Sequence, residues 1–403
     1  MNTPIAHDQA TIAALVAGQP AAHSLQQALY NDEAAFRHDM ATVFTRNWVL
    51  AGHAAQAPKP GDYFLVDIAE ESIIIVRGND GQLRAFANVC RHRGSRVCLK
   101  PEGHASVLVC PYHAWSYNLD GSMRAARNMG ADFDKSQFGL KPIALEVIEG
   151  LVFITLSQTP LSLDVARDTI SRAYGAYGWG DAKVAHRQTY RVEANWKLAV
   201  ENYLECYHCT PAHPEYSKLH ALEQPLAQIA DMNAAMEACT KRLGVTVPSV
   251  DHRVNSASGE QSIFTFRYAL YDGVKTGGPE GCPVAPLMGA FTDYDGGVTS
   301  THFAPSSFFI AYPDHGVIYR FIPIDAHASA MELIWLVKDD AEEGVDYDLE
   351  ILTWLWQVTT LADKRITEDN QKGVNSRYYA PGPYAPVEPN AIAWIAWYLK
   401  EIA

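Results

Sequence analysis

The chain has 403 residues, 48% of them hydrophobic and 19% charged, ample for a large core and for more than one domain. Lys and Arg number 32 against 46 Asp and Glu, a formal charge of −14, which disfavours nucleic acid and anionic membrane as partners. Seven cysteines, an odd number in a long chain, argue against a secreted disulfide scaffold. The opening MNTPIAHDQATIAALVAG lacks a basic n-region and is interrupted by Asp8; no apolar run is long enough to span a bilayer. The expected location is the cytoplasm.

Residues 1–45 read as a polar, helical lead-in. From Asp62 the period changes: DYFLVDI, SIIIVRG and LRAFANV are short, β-branched or aromatic, and separated by turn signals. Asn79-Asp80-Gly81 and Asp120-Gly121 suit hairpins. Residues 46–155 are therefore expected to form an all-β domain, and 156–403 a second one. In the second, residues 162–178 and Asn195 to Cys209 read as helices, the latter ended near Pro211. Residues 215–300, rich in Gly and Pro, read as largely irregular loops around a site. SSFFIAY, GVIYRFIPI and SAMELIWLV read as antiparallel strands, and Gly344 to Ser376 as a long helix. AIAWIAWYLKEI closes the chain, with Trp394 and Trp397 on a stripe suited to capping the core or meeting a neighbouring subunit.

The β domain contains CRHRGSRVCLKPEGHASVLVCPYHAWSY. Cys90 and His92, then Cys110 and His113, form C-x-H and C-x-x-H, each at the end of an expected strand. Two loops can thus close on one object. Two thiolates and two imidazoles fit a Rieske [2Fe–2S] centre, with cysteines on one iron and histidines on the other. A structural zinc ion accepts the same ligand types. Pro111 stiffens the second loop, Gly94 allows close backbone approach, and Trp115 and Tyr117 can shield the group from water. Such a centre passes electrons singly and does not itself transform a substrate, so an enzyme built on it needs a second site.

The stretch Glu201 to Pro214, ENYLECYHCTPAHP, is rich in ligand types. On a helix, Glu201, Glu205 and His208 share one face. Cys206 points nearly opposite His208, so the C-x-x-C of Cys206 and Cys209 reads as two small hydrophobes. His213 follows Pro211, where the chain can turn back toward His208. A third ligand is available in the long helix, whose stripe Leu352, Leu355, Trp356, Thr359, Asp363, Ile366 puts Asp363 on the core side. A buried carboxylate needs a cation or strong donors; a salt bridge would satisfy it, and so would a metal. Glu368 and Asp369 fall nearer solvent. His208, His213 and Asp363 together would make the two-histidine, one-carboxylate triad of non-haem Fe(II), with positions open for O2 and substrate.

With both motifs in this order over nearly the whole length, the chain resembles the α-subunit of a Rieske non-haem iron oxygenase. C-x-H and C-x-x-H match at Cys90, His92, Cys110 and His113. E-N…E-C-Y-H…H matches at Glu205, His208 and His213. D-K-R-I…Q-K-G matches the segment bearing the third ligand, Asp363. The resemblance implies an α+β protein: an all-β Rieske domain and a helix-grip catalytic domain, assembled as a homotrimer. In such a trimer the cluster of one subunit feeds the iron of the next through a bridging acid, here Glu205. It implies O2 as co-substrate and NAD(P)H used through a separate flavin and iron–sulfur reductase. Glu rather than Asp at 205, and Ala rather than Gly at 114, resemble the branch acting on quaternary ammonium compounds. That branch implies oxidative N-demethylation of a glycine betaine, proline betaine or carnitine type of substrate. Hydroxylation of an aromatic acid or ring is the alternative, and a non-enzymatic electron carrier a further one. Phe264, Phe266 and Tyr268 on one expected strand, and Phe308 and Tyr312 on another, are aromatic faces a quaternary ammonium could use.

Overall fold

The computed structural model describes residues 6–130, 132–221, 226–247, 252–254 and 259–403. They form two compact units, Phe44–Pro160 and Met1–Val43 with Leu161–Ala403.

The first unit is built from β1 (Val49–His53), β2 (Asp62–Ile68), β3 (Glu71–Arg77), β4 (Leu83–Ala87), β5 (Glu102–His104), β6 (Leu108–Val109), β7 (Ser116–Tyr117), β8 (Met123–Ala125), β9 (Pro142–Ile148) and β10 (Leu151–Thr155). Seven of these make a sheet ordered β1-β10-β9-β4-β3-β2-β5, and β6-β7-β8 make a small second sheet. The run of isoleucines in β3 is buried on both faces, as the apolar, β-branched sequence requires. Both expected hairpin turns form. Gly81 (φ 79°) turns β3 into β4, and Gly121 (φ 83°) turns β7 into β8, at angles that favour glycine. Ile74, Val76, Phe86, Leu108, Trp115, Tyr117 and Leu140 share one core with Cys90 and Cys110.

The second unit is organised on one antiparallel sheet of β11 (Lys183–Val192), β12 (His252–Val254), β13 (Ile263–Ala269), β14 (Gly297–Phe303), β15 (Ser307–Ala311), β16 (Gly316–Asp325) and β17 (Ala328–Val337). Its order is β11-β17-β16-β15-β14-β13-β12. The long helix, Leu349–Val374, starts at Asp348, whose carboxylate accepts the Ile351 N–H at 3.0 Å, a normal N-cap. It packs against β11 and against the helix Trp196–Tyr203. The terminal helix Pro389–Ile402 caps this core. Trp394 and Tyr398 meet Trp196 edge-on, with ring centroids 5.6 and 6.1 Å away. The Tyr398 hydroxyl donates to Asp39 at 2.6 Å, and Asp39 also pairs with the buried Lys197.

Two expectations fail in this unit. The helix expected over residues 195–209 ends at Tyr203, and residues 205 and 206 have no regular structure. Pro211 does not stop a helix; it lies inside the short helix Cys209–Ala212, in the first turn, where a missing N–H costs nothing. The irregular region expected over 215–300 contains a 17-residue helix, Leu226–Arg242, besides β13 and the start of β14. Its residues LAQIADMNAAMEACTKR are strong helix formers, while the glycines and prolines lie outside it. Residues 222–225, 248–251 and 255–258 of that region lie outside the described residues.

Candidate metal centres

In the first unit, two loops repeat one backbone pattern. The Cys90 N–H bonds the Ser95 carbonyl at 2.8 Å and the Gly94 N–H the Cys90 carbonyl at 3.0 Å; Cys110 does the same with Trp115 at 2.8 Å and Ala114 at 3.1 Å. The fourth residue after each cysteine is left-handed, Gly94 at φ 81° and Ala114 at φ 56°. The sequence assigned Gly94 to close backbone approach. A Cβ there would meet no protein atom within 4 Å, and the positive φ itself also calls for glycine. Cys90 and Cys110 are buried, whereas His92 and His113 are exposed, with ring centroids 4.7 Å apart. Trp115 stacks on His92 at 4.7 Å and 12°. Tyr117 lies beneath, its hydroxyl 3.3 Å from the Cys90 sulfur.

The spacing separates the two inorganic groups that these residue types allow. Any two ligands of one zinc ion lie within about 4.6 Å of each other, given Zn–S near 2.3 Å. Among the described residues, only His208, His213 and Asp363 gather three such atoms within 4.8 Å; no three of Cys90, His92, Cys110 and His113 do. The four residues fit a two-iron cluster, cysteines inward and histidines outward, and not a single ion.

In the second unit, the end of the helix at Tyr203 creates the other centre. The chain unwinds at Glu205, turns, and re-enters a helix at Cys209. Glu201, expected beside Glu205 and His208, is therefore elsewhere. It is buried and accepts hydrogen bonds from Tyr30 (2.8 Å) and Tyr384 (2.6 Å), and burial pushes its carboxyl up to about 7. Glu205 still meets His208, with Oε1 2.6 Å from Nδ1, while its other oxygen takes the backbone N–H groups of Tyr207 and His208. A proton on Nδ1 leaves the Nε2 lone pair free. That atom lies 3.2 Å from Asp363 Oδ1, and His213 Nε2 lies 2.8 Å from the same oxygen. The Asp363 carboxyl is buried, which alone would raise it, but His208 and His213 hold it below the usual range. Burial likewise opposes charge on His208, yet Asp363 and Glu205 push it up to about 10. Two nitrogens and a carboxylate oxygen converge where a positive charge is strongly favoured, a donor set that fits Fe(II). The carboxylate of Asp363 meets the histidines, and Glu368 pairs instead with Lys364.

Around these atoms is a cavity of about 90 Å³. Tyr203, Tyr216, Phe266, Tyr268 and Trp356 supply aromatic walls, and Asn202, Ser300 and Thr359 supply neutral polar groups; among the described residues no Lys or Arg lines it. Tyr216 stacks on His220 at 3.7 Å and shares a 2.8 Å hydrogen bond with Tyr268. Burial pulls His220 down to about 3, so the wall behind Tyr216 stays neutral. Of the aromatic residues singled out in the sequence, Phe266 and Tyr268 line the cavity, while Phe308 packs behind Tyr203 at 4.4 Å.

Sequence reasoning missed Asn202, Tyr216 and Ser300. Ser300 becomes visible only through register: it stands between Phe266 of β13 and Ile310 of β15 in one cross-strand row. Asn202 places its amide 3.0 Å from His208 Nε2 and accepts from Thr367 at 3.2 Å. It lies six residues before His208, outside any helical repeat with it. Cys206 and Cys209, expected to be packed away from the ligands, also line the cavity, and contact with Cys206 and burial push the Cys209 thiol well up.

Residues 47–144 match the Rieske [2Fe-2S] domain family, and residues 180–403 match the catalytic domain of the ring hydroxylating alpha subunit. The chain is 36% identical to the glycine betaine monooxygenase oxygenase subunit of Chromohalobacter salexigens, covering 99% of this chain and 90% of that one. It is 32% identical to the carnitine monooxygenase oxygenase subunit of Escherichia coli, covering 87% and 84%. A solved quaternary ammonium Rieske monooxygenase, described in connection with carnitine oxidation and inter-subunit electron transfer, shares the fold with a TM-score of 0.73. It has 24% identity over 96% of this chain and 98% of its own. Among the described residues no helix is long and apolar enough to cross a membrane. With a cluster-shaped pair of Cys-His loops in one unit and an iron-shaped triad in the other, the chain belongs to the Rieske non-haem iron oxygenases, as an oxygenase subunit using a [2Fe–2S] cluster and mononuclear iron.

Proposed function

We propose that the protein is the oxygenase of a multi-component system that N-demethylates a quaternary ammonium compound of the betaine or carnitine type. The observation that carries this reading is the cavity at the triad, walled by Tyr203, Tyr216, Phe266, Tyr268 and Trp356, with no Lys or Arg among its described lining residues. A trimethylammonium group forms no hydrogen bond and is held by aromatic faces. A cationic side chain in the wall would repel it, and among the described residues none lines the cavity. The relatives named for glycine betaine and carnitine support the same class.

In this reading Cys90, His92, Cys110 and His113 hold the cluster, and His208, His213 and Asp363 hold the iron. When bound, the two groups supply single electrons and activation of O2. The protein does the rest. Glu205 accepts the Nδ1 proton of His208 and so orients that ring with Nε2 inward. Glu205 lies beside the exposed Tyr207, so it also suits the role of the bridging acid between the His208 of one subunit and a cluster histidine of its neighbour in a homotrimer. The aromatic walls hold the cation with one N-methyl group toward the triad, and the Ser300 hydroxyl is the neutral donor for the substrate's anionic end. Hydroxylation of that methyl gives a hemiaminal, which collapses to the tertiary amine and formaldehyde. A separate flavin and iron–sulfur reductase supplies electrons from NAD(P)H, and the system works in the cytoplasm.

The same aromatic walls would stack an aromatic ring or aromatic acid, which is the second reading. Purified, iron-replete protein with a surrogate reductase, NADH and O2 separates them. Formaldehyde in proportion to NADH with one betaine is expected. A hydroxylated ring product without formaldehyde would establish the second reading instead.

A further inference from the structure

We infer that Cys206 and Cys209 form a reversible oxidative site in the wall of the iron cavity, closing to an intramolecular disulfide when hydrogen peroxide reaches it.

The sequence treats this C-x-x-C as two hydrophobes on a helix. The structure puts both sulfurs elsewhere. Because the helix ends at Tyr203, Cys206 lies in the unwound segment and Cys209 opens the next helix. The Cys209 N–H bonds the Cys206 carbonyl at 3.1 Å, closing a single turn. The Cα atoms spanning such a turn are less than about 7 Å apart, near the range of about 4.4–6.8 Å over which disulfides close. Both residues line the cavity, and Cys206 is only half-buried. Neither is bridged.

A soft metal is the other occupant that a dithiol suggests. It would need a third ligand, and among the described residues no third metal-binding side chain joins these two within reach of one ion. That leaves oxidation. The position is exposed to it, since His208 lies between the two cysteines in the same turn and any peroxide escaping an O2-using iron is formed within the same cavity. The Cys206 sulfur attacks one peroxide oxygen; the O–O bond breaks, water leaves, and a sulfenic acid forms. The Cys209 sulfur then forms the S–S bond and displaces the hydroxyl as a second water. Two thiol protons end in the two waters, and two electrons pass from sulfur to peroxide. Cys209 thereby stops Cys206 at a step that thiols can reverse, before sulfinic or sulfonic acid forms.

The experiment is peptide mapping of the holoenzyme after brief, near-stoichiometric hydrogen peroxide and a catalase quench, with free thiols alkylated. A disulfide linking Cys206 and Cys209, removed by dithiothreitol, is expected in most chains. Two alkylated cysteines, or irreversible acids at either, would overturn the inference. In Cys209→Ser, Cys206 is expected to proceed to sulfinic and sulfonic acid at a peroxide dose that leaves the unsubstituted enzyme fully recoverable. A Cys206 equally recoverable in that variant would show that Cys209 resolves nothing. The mapping requires no substrate, so failure of the betaine reading leaves it intact.

Discussion

The two centres are built in opposite ways. The Rieske residues come from two loops within residues 90–115, each repeating the same pair of backbone hydrogen bonds and the same left-handed fourth residue. The iron residues come from a broken helix and from a position 150 residues later, joined by packing of the helix Leu349–Val374 on Trp196–Tyr203 and on the short helices Cys209–Ala212 and Pro214–Ser217. The first centre is local and its geometry travels with the chain. The second depends on two helices meeting in one register, and its ligands sit on a segment that is irregular because it must bend. That contrast predicts modular damage: the triad can be lost while the cluster persists.

The largest effect is expected from Asp363→Ala. It removes the oxygen shared by His208 and His213 and leaves two buried imidazoles. Iron should fall from roughly three to two per chain and turnover by more than about 100-fold, beyond what loss of an outer-shell partner costs. The visible spectrum of the cluster should be unchanged. Loss of that spectrum as well would mean that the two centres are structurally coupled and break the comparison.

Glu205→Ala comes next. It leaves all ligands in place but frees the His208 ring, and turnover should drop about 10–100-fold with both iron pools retained. A variant with normal single-turnover hydroxylation but slow multiple turnover would sharpen the point, assigning Glu205 to electron supply more than to ring orientation.

Trp356→Ala tests the cavity wall. Loss of one aromatic face from a desolvated quaternary ammonium site is worth about 0.5–2 kcal/mol, so KM for the preferred betaine should rise by roughly 2- to 30-fold. An unchanged KM would remove the wall from substrate recognition.

A prediction of another kind concerns stability behind the iron helix. Glu201 titrates near 7 when folded, against about 4.5 unfolded. A raised carboxyl adds stability below its unfolded value and loses it as pH rises through about 7, a swing of about 3 kcal/mol. Thermal unfolding of the unsubstituted protein should therefore weaken between about pH 5 and 7. In Glu201→Gln that slope should flatten, and a slope equal in both proteins would exclude Glu201 as its source.

Legibility followed the same division. Cys90, His92, Cys110 and His113 could be paired from spacing because each loop is its own structural unit, and the hairpin turns at Gly81 and Gly121 were visible because a left-handed residue is chemically marked. Asp363 was placed correctly on the core face of its helix by periodicity alone, since 26 helical residues preserve their repeat. The neighbourhood of His208 was misread. A repeat assumed to continue past Tyr203 put Glu201 beside Glu205 and turned Cys206 and Cys209 away from the cavity; nothing local in ENYLECYHC marks the break. The helix Leu226–Arg242 was missed because the glycines and prolines around it coloured the whole region.

By itself the sequence determined the chemistry of both centres, since ligand types, their spacing and the stripe carrying Asp363 are one-dimensional properties. Only the tertiary structure decided which Cys-His atoms are too far apart for one ion, where the helix breaks so that His208 and His213 converge on Asp363, and which aromatic residues line the cavity. The cavity wall is a row across neighbouring strands, Phe266, Ser300 and Ile310, and such a row exists only once register is set, because residues adjacent in space there are ten residues or more apart along the chain.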